Sequence, residues 1–97
     1  MPEEELQSRG VDRYESGDLE GALRDFDDLL VRNPSLVTTR YNRSIIYAEQ
    51  DQHAEAIADL DLVLQEVPEN ADVWHARAAS QRQLGNFKAA LSDINEA

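Results

Sequence analysis

The chain has no cysteine, a single lysine (Lys88), a single tryptophan (Trp74) and no long apolar run. Lacking cysteine, it can form no disulfide, thiolate nucleophile or cysteine-type zinc site. No stretch approaches the roughly 18 apolar residues that a spanning helix needs. Positive charge is scarce as well. Nine lysines and arginines face 20 aspartates and glutamates, a net charge of −11. That balance argues against nucleic acid and anionic membranes as partners, because both recruit clustered cations. The N-terminus, Met-Pro-Glu-Glu-Glu, is acidic, unlike the basic start of a signal or transit peptide. A cytoplasmic protein is expected. One lysine against eight arginines within an acidic excess fits a GC-rich genome or a high-salt cytoplasm, where salt screens self-repulsion.

What is present suits one domain with a modest core. The 97 residues are 41% hydrophobic and 30% charged, too apolar for compositional disorder. Residues 17–34 form the clearest segment. Ala22, Phe26 and Leu29 fall at i, i+4, i+7, and Leu23, Phe26 and Leu30 at i, i+3, i+7. Together they make a broad apolar helical stripe. Gly17 ends the preceding helix, Asp18 can cap the new one, and Asn33-Pro34 closes it.

The same pattern returns every 34 residues. Ala22 recurs as Ala56 and Ala90, Leu23 as Ile57 and Leu91, Phe26 as Leu60 and Ile94, and Pro34 as Pro68. Gly10 becomes Ser44 and Ala78, while Gly17 becomes Asp51 and Gly85. Small stays small and apolar stays apolar. Such a period marks a solenoid of stacked units. Each unit reads as two antiparallel helices, at about 3–16 and 18–33, 36–50 and 52–67, and 71–84 and 86 onward. Asn70 is a candidate cap for the fifth helix.

A 34-residue helix–turn–helix with these residues resembles the tetratricopeptide repeat family. The first unit matches through Leu6, Gly10, Ala22, Phe26 and Pro34, the second through Tyr47, Ala56 and Pro68, and the third through Trp74, Ala78, Ala90 and Ala97. The resemblance implies an all-α solenoid, a right-handed superhelix of about 2.8 units and six helices. Its units are 3–36, 37–70 and 71–97 of a single domain, as a segment of a longer protein or with its open end covered by self-association. There are departures. Tyr14 falls one place after the family tyrosine, Arg40 takes a large apolar position, and Asp51 replaces the loop glycine.

A second register runs through the charges. Arg9, Arg43 and Arg77 lie 34 apart, as do Asp25, Asp59 and Asp93. Each arginine sits mid-way along a first helix and each aspartate mid-way along the second, where antiparallel helices cross. The expected pairs are Arg9–Asp25, Arg43–Asp59 and Arg77–Asp93, since a guanidinium suits bidentate contact with a carboxylate. They read as scaffold.

Catalytic chemistry finds no support in the residues. His53 and His75 have no zinc-type spacing, no serine lies in a nucleophile elbow, and no glycine loop cradles phosphate. The acidic runs at 25–28 and 59–61 lack the glycine and terminal glutamate of a calcium loop and read as solvated helix faces. The expectation is no enzyme, no metal and no cofactor.

What remains is a surface. Resemblance to the family implies a peptide or partner helix held on the concave face of the first helices. Carried over to this chain, the contact residues are Gln7, Val11, Tyr14, Tyr41, Asn42, Ile45, His75, Ala79 and Arg82, with Glu15 and Glu49 at the rim. Members of the family that grip chaperone C-terminal carboxylates use lysine, arginine and asparagine at set places. Here only Asn42 matches, and Gln7, Val11, Asp72 and Ala76 stand at the others. A chaperone carboxylate is therefore not the expected ligand; a basic or apolar one is. The alternative is an assembly element. Leu91 and Ile94 on the last helix are expected to be partly uncovered, so that face could drive homo-association.

Overall fold

A computed structural model describes residues 1–97. Six helices follow one another: α1 (Glu3–Glu15), α2 (Leu19–Arg32), α3 (Val37–Glu49), α4 (His53–Glu66), α5 (Ala71–Gln83) and α6 (Phe87–Glu96). Their limits fall within a residue or two of the sequence expectation. Capping accounts for the starts of α2 and α5. Asp18 accepts a hydrogen bond from the Gly21 N–H at 2.9 Å, and Asn70 accepts from the N–H groups of Asp72 and Val73. Within each hairpin the turn needs one left-handed residue. Gly17, Asp51 and Gly85 supply it, with φ of 91°, 59° and 82°.

Hairpins α1–α2, α3–α4 and α5–α6 stack in order, α3 packing on α2 and α5 on α4. The stack is an α-solenoid, measuring 42 × 25 × 18 Å. Two apolar clusters hold it together. Leu6, Ala22, Phe26 and Leu29 of the first hairpin close around Ile46 of α3. Leu60, Val63 and Leu64 of α4 close around Val73 of α5. Each hairpin thus supplies part of its neighbour's core, as nearest-neighbour stacking requires.

Close approach within the first hairpin depends on Gly10. A Cβ there would come 2.6 Å from the Phe26 ring. The second and third units pair Ser44 with Leu60 and Ala78 with Ile94 at the same register, exchanging ring bulk for a Cβ.

Candidate functional site

The site is built from two features that share the first helices: a set of guanidinium forks within the stack, and a row of clefts between α1, α3 and α5.

All three 34-spaced pairs are bidentate. Arg9 donates through Nε and Nη2 to Asp25 at 3.0 and 2.7 Å, Arg43 to Asp59 at 2.9 and 2.7 Å, and Arg77 to Asp93 at 3.0 and 2.8 Å. The aspartates are buried and the arginines lie nearer the surface. Hydrogen bonding to its aspartate raises the ionisation of each arginine above its ordinary value. No buried side-chain nitrogen or oxygen lacks a partner, so the polar layer is satisfied.

The forks also do something the spacing did not announce. Arg43 Nη1 donates to Asp27 at 2.9 Å, and Arg77 Nη1 to Asp61 at 2.6 Å. Both bonds cross to the preceding hairpin. By sequence alone Asp27 and Asp61 belong to solvated helix faces. They remain half exposed, yet each accepts an arginine from the next unit. The signal was in the sequence, since 27 and 61 are themselves 34 apart.

The departure at Arg40 and the side chains of Arg13 and His53 find their reasons here. Arg40, at the large apolar position, donates to the Pro34 carbonyl at 2.7 Å; Trp74, its counterpart, donates its indole N–H to the Pro68 carbonyl at 2.8 Å. A polar side chain thus makes the contact that an aromatic one makes 34 residues later. Arg13 takes the place that Tyr47 holds in the second unit and adds a second guanidinium to Asp25, with Nη1 at 3.0 Å. His53 packs beside the second hairpin's turn. Its Nδ1 lies 3.2 Å from the hydroxyl of Ser80, a residue buried at the position where α3 carries Ile46.

The clefts run between successive first helices. Glu3, Glu4, Gln7 and Ser8 of α1 face Val37, Thr38 and Thr39 of α3 across a cleft of about 920 Å³. Further along the same pair, Val11, Tyr14, Glu15, Asn42 and Ile45 line one of about 210 Å³. Between α3 and α5, Tyr41, Asn70, Asp72 and Val73 line about 220 Å³. Ile45, Glu49, Asp51, Ala76 and Ala79 line about 420 Å³. Seven of the nine expected contact residues therefore border a cleft. His75 and Arg82 are exposed on α5 and line none of these four.

Both tyrosines also serve the stack. Tyr14 packs against the first apolar cluster and its hydroxyl donates to Glu49 at 2.6 Å, tying α1 to α3. Tyr41 packs against the second cluster. Each offers a ring to a cleft whose position it also fixes. Gln7 accepts a hydrogen bond from the buried hydroxyl of Thr39 at 2.7 Å, so its oxygen is already engaged.

This geometry has clear counterparts, although no protein-family model matches the chain. Human serine/threonine-protein phosphatase 5 is 30% identical over 90 residues, covering 93% of this chain but 18% of that enzyme. Human tetratricopeptide repeat protein 13 is 32% identical over 87 residues, 84% of this chain and 10% of that protein. The chain spans less than a fifth of either relative. Among solved structures, the second tetratricopeptide repeat domain of Spaghetti (RPAP3), bound to the HSP90 peptide SRMEEVD, superposes with a TM-score of 0.89 at 17% identity, over 97% of this chain and 87% of that one. MamA (residue 41 to its end) from Desulfovibrio magneticus RS-1 superposes with a TM-score of 0.93 at 18% identity, over 98% and 54%. The fold is that of a helical-repeat solenoid. It is the tetratricopeptide-repeat fold, the one that the 34-residue pattern resembles.

Proposed function

We propose that this chain is a non-catalytic protein–protein interaction module that takes a peptide or partner helix of basic or apolar character along the clefts between α1, α3 and α5. One observation carries the reading. The four clefts present Glu3, Glu4, Glu15, Glu49, Asp51 and Asp72, and neither a lysine nor an arginine borders any of them. Val37, Tyr41, Ile45 and Val73 give them apolar floors. A ligand with cationic side chains between apolar ones complements both features.

The peptide-bound structural neighbour supports a peptide as the class of ligand. An acidic C-terminal peptide does not suit this chain. Asp72 lines the cleft between α3 and α5, and by the family resemblance Asn42 is the one residue of a carboxylate-gripping set that this sequence keeps. The comparison is direct to make: the acidic peptide SRMEEVD against a variant with its glutamates and aspartate replaced by lysine. The lysine form is expected to bind at least about tenfold more tightly at low salt, and Asp72→Lys to narrow that gap. Tighter binding of the acidic form overturns the reading.

An assembly role is the second reading, and it rests on α6. Ile94 is 43% exposed, whereas its counterparts Phe26 and Leu60 are 1% exposed.

A further inference from the structure

Two of the clefts are one cleft repeated a unit apart. Val11, Tyr14, Glu15, Phe26, Asn42 and Ile45 line the narrower, between α1 and α3. Thirty-four residues on from each stand Ile45, Ala48, Glu49, Leu60, Ala76 and Ala79, and all six line the wider, between α3 and α5. Each cleft therefore carries a glutamate at the same register, Glu15 and then Glu49.

Their walls differ in bulk. Tyr14, Asn42 and Ile45 give way to Ala48, Ala76 and Ala79, and Phe26 gives way to Leu60. The space doubles, from about 210 to about 420 Å³. Tyr14 also straps the narrow cleft, its hydroxyl donating across from α1 to Glu49 of α3 at 2.6 Å. In the wide cleft Ala48 stands at the register of Tyr14 and Gln83 at that of Glu49, so there is no strap. Gln83 at the end of α5 and Asp51 and His53 at the α3–α4 turn join the lining instead.

The wide cleft is thus aliphatic along its wall and polar at one end. Ala48, Ala76 and Ala79 offer methyl groups, while Glu49, Asp51 and Gln83 offer oxygens. Neither carboxylate is spent on a lysine or arginine. Glu49 accepts from the Tyr14 hydroxyl, and the Asp51 side chain is 94% exposed, with His53 Nε2 3.5 Å away. His53 is engaged through Nδ1 with Ser80 at 3.2 Å. The side chain that complements this lining has a slender apolar stem and a cationic head with several donors. Lysine has the stem, but its head is compact and strongly hydrated. Arginine's planar fork of five donors can serve two carboxylates and an amide oxygen together.

Resting on the peptide-binding reading above, we infer that the wide cleft between α3 and α5 is an arginine subsite. The guanidinium of a partner peptide meets Glu49, Asp51 and Gln83, and its methylenes lie on Ala48, Ala76 and Ala79. The narrow cleft, closed by Tyr14, takes a smaller apolar side chain of the same peptide.

Two cationic forms of the heptapeptide SRMEEVD test the subsite, one with lysine at every charged position and one with arginine. The arginine form is expected to bind about five- to tenfold more tightly. Glu49→Gln, which keeps an acceptor for Tyr14, combined with Asp51→Asn should shrink that preference to below about twofold. Ala48→Tyr, which restores the strap, should do the same while leaving binding of the lysine form and the helical circular dichroism unchanged. Titration with the arginine form should also move the methyl resonances of Ala48, Ala76 and Ala79 before that of buried Ala22. Equal affinities for the two forms, or a preference that survives both sets of substitutions, overturn the arginine subsite and leave the peptide-binding reading standing. Failure to bind either form overturns both.

Discussion

Arg77 holds Asp93 within its own hairpin and, through Nη1, Asp61 of the hairpin before it at 2.6 Å. Arg43 repeats the arrangement with Asp59 and Asp27. One planar cation with three donors in use thus sets the spacing inside a unit and the step to the next. Aromatic rings back both forks, with Trp74 4.8 Å from the Arg77 guanidinium and Tyr47 5.6 Å from that of Arg43. Arg9, in the first hairpin, donates only to Asp25.

The two kinds of carboxylate should separate in a stability measurement. Asp59 is buried and also lies 3.5 Å from Arg40, so Asp59→Ala takes the inner carboxylate from two guanidinium groups, leaving Arg43 only Asp27 and Arg40 only the Pro34 carbonyl, and should cost about 3 kcal/mol. Asp61→Ala removes an exposed acceptor and should cost about 0–1 kcal/mol. Urea denaturation of the two variants side by side decides it; equal losses would mean that burial of the inner pair has been misjudged.

Gly10→Ala is expected to destabilise by about 1–3 kcal/mol, because its new Cβ meets the Phe26 ring and overpacking outweighs the gain in helix propensity. Phe26→Leu should make room. The double variant recreates the kind of pairing found at Ser44 and Leu60, and a coupling of at least about 1 kcal/mol between the two changes is expected. Strict additivity would show that the ring and the glycine do not depend on each other.

Asp51 adopts a left-handed conformation at a turn where the other two units have glycine. Its carboxylate is fully solvated and stands 3.5 Å from His53 Nε2, a contact worth little in water. Asp51→Gly should therefore raise stability by about 0.5–1 kcal/mol, through relief of the left-handed backbone. A thermal midpoint that falls instead would give the His53 contact more weight than its exposure suggests.

Alkaline titration reports on the tyrosines. The hydrogen bond to Glu49, then burial and the Glu49 charge, raise Tyr14 above the ordinary 10.0. Burial and then Asp72 raise Tyr41. Burial, opposed in part by Arg43, raises Tyr47. A phenol whose folded value lies above its unfolded one contributes stability that is complete below about pH 10 and lost as pH climbs through the folded value. Tyrosinate absorbance should thus rise at higher pH in the folded chain than in urea, and Tyr14→Phe should lessen the alkaline loss of stability. Coincident folded and unfolded titrations would contradict the packing of all three rings.

Much of this architecture was written in the chain itself. A 34-residue recurrence of small and apolar side chains dictates six helices, because each repeated stripe is buried only by stacking on its neighbour. The left-handed turns at 17, 51 and 85 and the caps at Asp18 and Asn70 follow from local chemistry alone. So do the levels at which Arg9, Arg43 and Arg77 meet their aspartates, since antiparallel helices joined by short turns leave little freedom in register. Tertiary structure alone decided the rest. Whether Nη1 of an arginine spans to the previous hairpin depends on how far one unit steps past the next. The replacement of tryptophan by Arg40, the pairing of His53 with Ser80 and the ring-against-glycine contact at Phe26 depend on distances between side chains remote in sequence. The acid-lined clefts likewise exist only once α1, α3 and α5 stand side by side, because a cleft belongs to the space between helices and to no single one of them.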